Sequence, residues 1–246
     1  MATHLSVNLN KIALLRNSRG RDFPSLVGFG EMALAAGAKG LTIHPRPDQR
    51  HARYDDIKPL KQLIAQYQGA ELNIEGNPTA DFIKQVLLHK PHQCTLVPDD
   101  PNQLTSDHGY DLNTDSDFLT PIIGELKAAG IRVSLFMDPI AENMTKAKTI
   151  GADRVELYTE GWAESFGSDD QELQLATYRA AALSARQAGL EVNAGHDLNL
   201  ENLASFLTIP DIAEVSIGHA LTIEALHSGY SDVVSRYTSI CENSGY

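Results

Sequence analysis

The sequence predicts an α/β fold, a (β/α)8 TIM barrel formed as a single domain over residues 1–246. Three observations point there. Strand-like and helix-like stretches alternate eight times along the chain, the repeat that gives parallel strands joined by crossover helices. The length of 246 residues is typical of one such barrel. Five short apolar runs, LTIHPRP, LNIEGN, RVELYTE, EVNAGHD and VSIGHA, each end in a polar residue suited to chemistry, which puts His44, Glu75, Glu156, His196 and His219 on or just beyond β-type segments. A strand serving only a core would continue in Val, Ile or Leu. Catalytic groups gathered from several strand ends suit a barrel enzyme, whose site lies at the C-terminal rim. A doubly wound open sheet is the competing architecture.

The elements follow in order. A first strand at 4–10 alternates Leu5, Val7 and Leu9 with polar residues, and a helix near 25–36 closes at AAGAKG. The strand at 40–45 sets Leu41 and Ile43 against Thr42 and His44, before a helix near 55–67. The strand at 71–76 sets Leu72 and Ile74 against Asn73 and Glu75, and a helix near 79–89 leads to a strand at 93–98. The long connection 99–114, DDPNQLTSDHGYDLNT, is polar and turn-rich and is expected at the rim. A helix near 115–129 ends at AAGIRV, opening a strand at 132–137; the next, near 140–150, ends at TIGADRV, opening a strand at 154–159. The pattern closes with a helix near 170–188 ending at QAGLEV, a strand at 191–195, a helix near 200–208, a strand at 214–218 and a helix near 220–241. The Gly-bearing turns are helix stop signals.

Strand parity separates two faces. Leu5, Val7, Leu9, Leu41, Ile43, Leu72, Ile74, Val155, Leu157, Val215 and Ile217 form one apolar set, expected under the helices. The opposite set then faces the lumen: Ser6, Asn8, Asn10, Thr42, His44, Asn73, Glu75, Ser134, Asp138, Glu156, Tyr158, Asn193 and Ser216. Barrel interiors are usually filled with branched apolar residues, and buried amides and acids cost free energy unless they are hydrogen-bonded. Some of the Asn and Ser residues are expected to satisfy one another. The carboxylates and histidines near the C-terminal strand ends are assigned to function, because perturbed titratable groups concentrate in active sites.

Composition narrows the class. Hydrophobic residues make up 42%, and no apolar run approaches the roughly 20 residues of a membrane span. The start, MATHLSVNLNK, lacks the basic-then-apolar pattern of a secretory signal. The two cysteines, Cys94 and Cys241, have no metal-type spacing and read as ordinary thiols of a reducing compartment, so the expected location is cytoplasmic. Twenty basic against thirty-two acidic residues give a net charge of −12, which argues against a nucleic-acid partner. There is no GxGxxG or P-loop for a nucleotide, and no cofactor is expected.

An anionic ligand therefore needs local help, and three segments offer it. LTIHPRPDQRH carries His44, Arg46, Arg50 and His51 at a strand end; Arg grips phosphate in bidentate fashion and His moves protons near neutral pH. A solvated loop would explain Arg50 and Asp48 but not His44, which has inward parity. The spacing of His44 and His51 matches no common metal motif, so no metal is expected. VSIGHAL places Gly218 and His219 in a turn opening into a helix whose free N–H groups suit an anion. EVNAGHD puts His196 at the lip of a second Gly-bearing turn, and RNSRG offers Arg16 or Arg19 as a further anion clamp on the same side.

In the order SVNLNKIALLRNSRG, LTIHPRPDQRH, LNIEGNPT, Leu96-Val97-Pro98 followed by Thr105, EVNAGHDL and IGHAL, the chain resembles the pyridoxine 5′-phosphate synthase family, from Val7 to about Leu221. The resemblance implies a (β/α)8 barrel with short extra helices, assembled as a homo-octamer. It implies condensation of 3-amino-2-oxopropyl phosphate with 1-deoxy-D-xylulose 5-phosphate, giving pyridoxine 5′-phosphate, inorganic phosphate and water, the ring-closing step of vitamin B6 biosynthesis. Carried over by position, it implies His44, Glu75 and His196 as catalytic residues, with Glu156 stabilising transition-state charge. Asn8, Arg19, Asp197, Gly218 and His219 would contact the aminoketone phosphate; Asn10, Lys11, Arg46, His51 and Thr105 would contact the deoxyxylulose phosphate. The chain departs from the commoner pattern, which has Asp-His at Asn10-Lys11, Gly at Asp197 and His-Thr-Gly at Tyr158-Thr159-Glu160. Lys11 is left as a phosphate or carbonyl partner. A carboxylate beside phosphate is repulsive, so the Asp197 side chain is expected to turn away and cap the following segment NLENLASF. The four acid/base positions are intact, as in a divergent but active subgroup.

The residue types suit that chemistry. An amine adds to a ketone, water and phosphate leave, and a carbon–carbon bond closes the ring; each step moves protons and none requires a redox cofactor. Glu75 and His44 are assigned as bases, His196 as the acid for departing oxygen, and Glu156 as electrostatic support for an iminium-like intermediate. Two other classes remain open from the residues alone. A phosphosugar isomerase, epimerase or aldolase would use the same rim, although no strand carries the inward lysine of a Schiff-base aldolase. A non-catalytic barrel that binds phosphorylated metabolites is the other.

Overall fold

The computed structural model describes residues 2–100, 103 and 105–244. Its eight strands are β1 (His4–Asn8), β2 (Gly40–Ile43), β3 (Glu71–Gly76), β4 (Gln93–Leu96), β5 (Arg132–Met137), β6 (Arg154–Tyr158), β7 (Glu191–Gly195) and β8 (Ile212–Ile217). They close in sequence order into a barrel; each neighbouring pair is parallel, and β8 returns to β1 with Ser6 opposite Ser216. A register shift at Val192/Asn193 interrupts the β7–β8 ladder. Outside the strands lie α1 (Asn10–Asn17), α2 (Leu26–Ala35), α3 (Ile57–Ile64), α4 (Ala80–His89), α5 (Ser116–Ala128) and α6 (Met144–Thr149). These are followed by α7 (Glu160–Ser165), α8 (Gln171–Gln187), α9 (Leu203–Phe206), α10 (His219–Ser228) and α11 (Tyr230–Asn243).

Local chemistry sets the boundaries. Ser25 and Thr79 accept the Gly28 and Phe82 amides at 3.1 and 3.3 Å, starting α2 and α4. Gly37 and Gly189, with φ of 106° and 83°, let the chain turn from α2 and α8 towards the next strands. Leu5, Val7, Leu41, Ile43, Leu72, Ile74, Val155, Leu157, Val215 and Ile217 are all buried beneath the helices, as strand parity requires.

Three sequence expectations need correction. The alternation LSVNLN suggests a strand to residue 10, but β1 stops at Asn8: its Oδ1 accepts the Asn10 amide at 3.0 Å, and α1 begins there. A short helix, α7, follows β6 directly and buries Trp162. The single helix expected over 220–241 is two, separated at Gly229 with φ 90° and ψ 146°.

The lumen is polar throughout its depth. At mid-height Ser6 and Thr42 share a hydrogen bond of 2.7 Å, and Thr95 donates to Asn73 at 3.1 Å and to Glu156 at 3.3 Å. At the N-terminal end Arg132 grips Glu71 and donates to Gln93 at 3.0 Å. There Arg154 donates to Glu191 at 2.6 Å and to Gln93 at 3.0 Å, while Gln93 and Asn193 both donate to Glu214. At the opposite rim Gly109 and Tyr110, in the connection between β4 and α5, are fastened over the strand ends. The Tyr110 hydroxyl donates to Val97 O at 2.9 Å, and the Gly109 and Tyr110 amides donate to Asp138 and to Phe136 O, each at 3.0 Å. A β-carbon at Gly109 would stand 2.2 Å from Asp138 N, so only glycine permits this approach.

Candidate active site

A cavity of about 600 Å³ opens at the C-terminal rim. It brings together His44, Glu75 and His196 from the ends of β2, β3 and β7 and Glu156 from the middle of β6, with Asn8, Asn10, Lys11, Arg46, His51, Thr105, Asp197, Gly218 and His219 around them. Neither of the two arginines singled out as a further anion clamp lines the cavity: Arg19 is exposed in the turn after α1. Arg16, the alternative clamp, is buried and held by Asp56 at 2.5 Å and by the His51 carbonyl at 3.3 Å, so it secures the loop that carries His51.

The floor is a group of carboxyls short of cations. Glu75 receives Asn8 Nδ2 and Ser216 Oγ at 3.5 Å each. Burial, then the neighbouring Glu156 and Asp99, push its carboxyl well above the usual range. Glu156 is raised to about 8, by burial first and then by Glu214 on the adjoining level. Its place depends on Gly195, where a β-carbon would lie 2.5 Å from Glu156 Oε1. A carboxyl raised in this way keeps its proton to higher pH than a free one and is a stronger base once it releases it.

The β2 side is cationic. His44, its amide bonded to Asn10 Oδ1 at 2.9 Å, is driven well below its ordinary pKa by burial and by Arg46 and His51. His51 falls to about 4, again through burial and Arg46. Both rings are therefore neutral and able to accept a proton. Arg46 donates to Gln103 O at 2.6 Å and pairs with Asp99, and Arg50 donates to the same carbonyl at 3.2 Å. Asp99 is the buried group that sequence reasoning missed. It takes Ser106 Oγ at 2.9 Å and stands 3.9 Å from His44 Nε2, while its Oδ1 is without a hydrogen-bond partner among the described residues. Its signal was the Asp99-Asp100 pair directly after the fourth strand.

Across the cavity Gly218 leads into α10, whose first residues His219 and Ala220 line the cavity, and the first amides of a helix have no partner within it. A β-carbon at Gly218 would meet Asn8 Cβ at 2.9 Å and Asn8 O at 3.0 Å, so the glycine is required by the β1 backbone itself. Val97, Phe136 and Tyr158 form an apolar cluster separate from the main core, and Val97 and Phe136 of it line the cavity. Asp197 does not cap the segment after it. Asn199 Oδ1 does so, accepting the Glu201 and Asn202 amides at 2.9 Å, and Asp197 Oδ2 lies 2.7 Å from His196 Nδ1 instead. Among the described residues no group of three or more His, Cys, Asp or Glu side chains is arranged to hold a metal ion, and no helix is long and apolar enough to cross a membrane.

The family model described as "Pyridoxal phosphate biosynthesis protein PdxJ" matches residues 5–243. The chain is 52% identical over 242 residues to the pyridoxine 5′-phosphate synthase of Brucella abortus, covering 96% of this chain and 98% of that protein. It is 51% identical, at the same coverage, to the enzyme of that name from Brucella anthropi. Among solved structures, 3-hexulose-6-phosphate synthase from Salmonella typhimurium superimposes with a TM-score of 0.66 at 13% identity, over 99% of this chain and 100% of that one. Tryptophan synthase from M. tuberculosis gives 0.67 at 10% identity, over 98% and 93%. At such identities the two structures speak for the barrel alone.

Proposed function

The chain belongs to the PdxJ family of pyridoxal phosphate biosynthesis proteins, and from that premise we propose that it joins 3-amino-2-oxopropyl phosphate to 1-deoxy-D-xylulose 5-phosphate and closes the pyridine ring of pyridoxine 5′-phosphate. One observation carries this: a single 600 Å³ cavity holds four acid/base side chains between two sites fit for phosphate, the Arg46–His51 side and the Gly218–His219 turn. Two phosphorylated substrates need two such sites. The apolar lining of Val97 and Phe136 suits the flat ring that forms.

The residues divide the proton work. Neutral His44 and Glu75, once ionised, are bases for freeing the amine and for withdrawing carbon-bound protons during dehydration. His196 hands a proton to departing oxygen. A cationic intermediate beside Glu156 lowers that carboxyl's raised proton affinity; its proton passes to a basic oxygen or nitrogen of the substrate, and the carboxylate left behind faces the cation. Arg46 and His51 hold the deoxyxylulose phosphate with Lys11, Asn10 and Thr105; Asn8 and the start of α10 hold the aminoketone phosphate. The enzyme works in the cytoplasm as a homo-octamer on this view. Leu14, Leu15 and Phe23 near α1, with Ile223 and Leu226 on α10, are exposed apolar side chains that contacts between copies would cover.

Mixing the purified protein with both substrates tests the proposal. Phosphate release and pyridine-ring absorbance are expected to rise together, one phosphate per ring. Turnover of a single phosphosugar without ring absorbance would assign an isomerase, epimerase or aldolase; binding without turnover would assign a non-catalytic barrel.

A further inference from the structure

We infer that Asp197 is a positioning residue for His196: the two form a carboxylate–imidazole pair at the cavity mouth that fixes which ring nitrogen is offered to substrate. The pair stands on four observations. Asp197 Oδ2 lies 2.7 Å from His196 Nδ1, and an ionised carboxylate only accepts hydrogen bonds, so Nδ1 carries the proton. Nε2 is thereby directed to the other side, where it meets Thr105 Oγ1 at 3.1 Å on the cavity lining. The ring is closed on a third side by Tyr158, edge-on at 5.0 Å, whose hydroxyl donates to Glu160 at 2.5 Å. The backbone is also committed to this arrangement. His196 and Asp197 have φ of 90° and 58°, a region that residues with side chains rarely adopt and that concentrates at functional sites.

That turn is held from outside. Thr159 Oγ1 donates to Gly195 O at 2.8 Å and also to His196 O, and Asn202 Nδ2 donates to Asp197 O at 3.1 Å. The two other uses for the Asp197 side chain are taken or disfavoured: Asn199 caps the next turn, and an anion repels phosphate. The bond to His196 holds the Asp197 carboxyl below the usual carboxylate range, with Lys11 and His219 also facing it.

This deepens the proposed function, on which it rests for the reaction alone. When His196 acts as acid, its Nε2 proton passes to the departing oxygen, the bond to that oxygen breaks, and the ring becomes neutral while Nδ1–H stays on Asp197. The carboxylate steadies the positive ring before the transfer and keeps the tautomer correct after it.

The test compares wild type, Asp197→Gly and Asp197→Asn, by NMR of ¹⁵N-labelled histidine in the ligand-free protein and by steady-state kinetics. Glycine suits the backbone at 197, so both variants are expected to fold. The expected wild-type spectrum has His196 protonated at Nδ1, and Asp197→Gly loses that signature. Its kcat falls roughly 10–100-fold, part of the 10²–10⁴ that a positioned acid contributes, with KM for both substrates little changed; Asp197→Asn, which keeps an oxygen acceptor, lies between. An Nδ1 without its proton in the wild type, an unchanged kcat in Asp197→Gly, or a change confined to KM would each overturn the assignment. If no pyridine ring forms with wild type while the tautomer still depends on Asp197, the proposed reaction fails and the pair stands.

Discussion

The two ends of the lumen use the same residue types to opposite effect. At the N-terminal end Arg132 and Arg154 sit among Glu71, Glu191, Glu214 and Gln93. Burial alone would raise Glu71, but the bond and charge of Arg132 outweigh it and hold the carboxyl low. At the C-terminal end Glu75 and Glu156 are buried more deeply than the half-buried Glu71 and have no such partner, and both are raised. Glu214 stands between: burial lifts it, and Arg154 and Arg132 pull it back. A buried charge with its counter-ion is architecture. The same group without one is held ready to exchange a proton.

Three measurements would break or sharpen that contrast. The largest effect is expected at the rim, where His44→Ala and Glu75→Gln should each lower turnover by roughly 10²–10⁴ while unfolding stays cooperative; near wild-type turnover in either would remove that residue from the mechanism. At the other end Arg154→Met should reverse the pattern. It strands Glu214 without its cation, costing about 3–5 kcal/mol by urea unfolding, yet the folded fraction keeps its turnover. Adding Glu214→Gln should recover most of the loss, and failure to recover would show that Arg154 matters through something other than charge.

The third effect is one of pH, and it is small at any single pH step. Glu156 keeps its proton up to about 8, whereas the unfolded chain loses it near 4.5. Wild-type stability should therefore fall through that window as pH rises, because the native state there binds more protons than the unfolded one. Glu156→Gln has nothing to titrate, so its stability relative to wild type should climb across the same window, by at most about 1.4 kcal/mol per pH unit. Melting curves at pH 5 and pH 8.5 that differ equally for the two proteins would deny Glu156 its raised proton affinity.

The strands are legible in the sequence because parity in a barrel is strict: Leu72 and Ile74 must face helices if Asn73 and Glu75 face the lumen. The end of β1 is not legible, since a side-chain bond from Asn8 turns the chain while the alternation runs on to Asn10. Nor is the break at Gly229, which a helical pattern passes over. At the site, strand-end residues could be read one by one from position. Their partners could not, for Arg16 meets Asp56 and Arg46 meets Asp99 across 40 and 53 residues of chain. The pairing of Asp197 with His196 is local, yet it depends on positive φ values that neither residue type announces.

The empty place at Gly195 fixes where the neighbouring carboxyl can rest. A methyl group there would stand 2.5 Å from Glu156 Oε1, so any side chain at 195 would push that carboxyl from its present position. The placing of the β6 carboxyl is thus guarded by what β7 lacks.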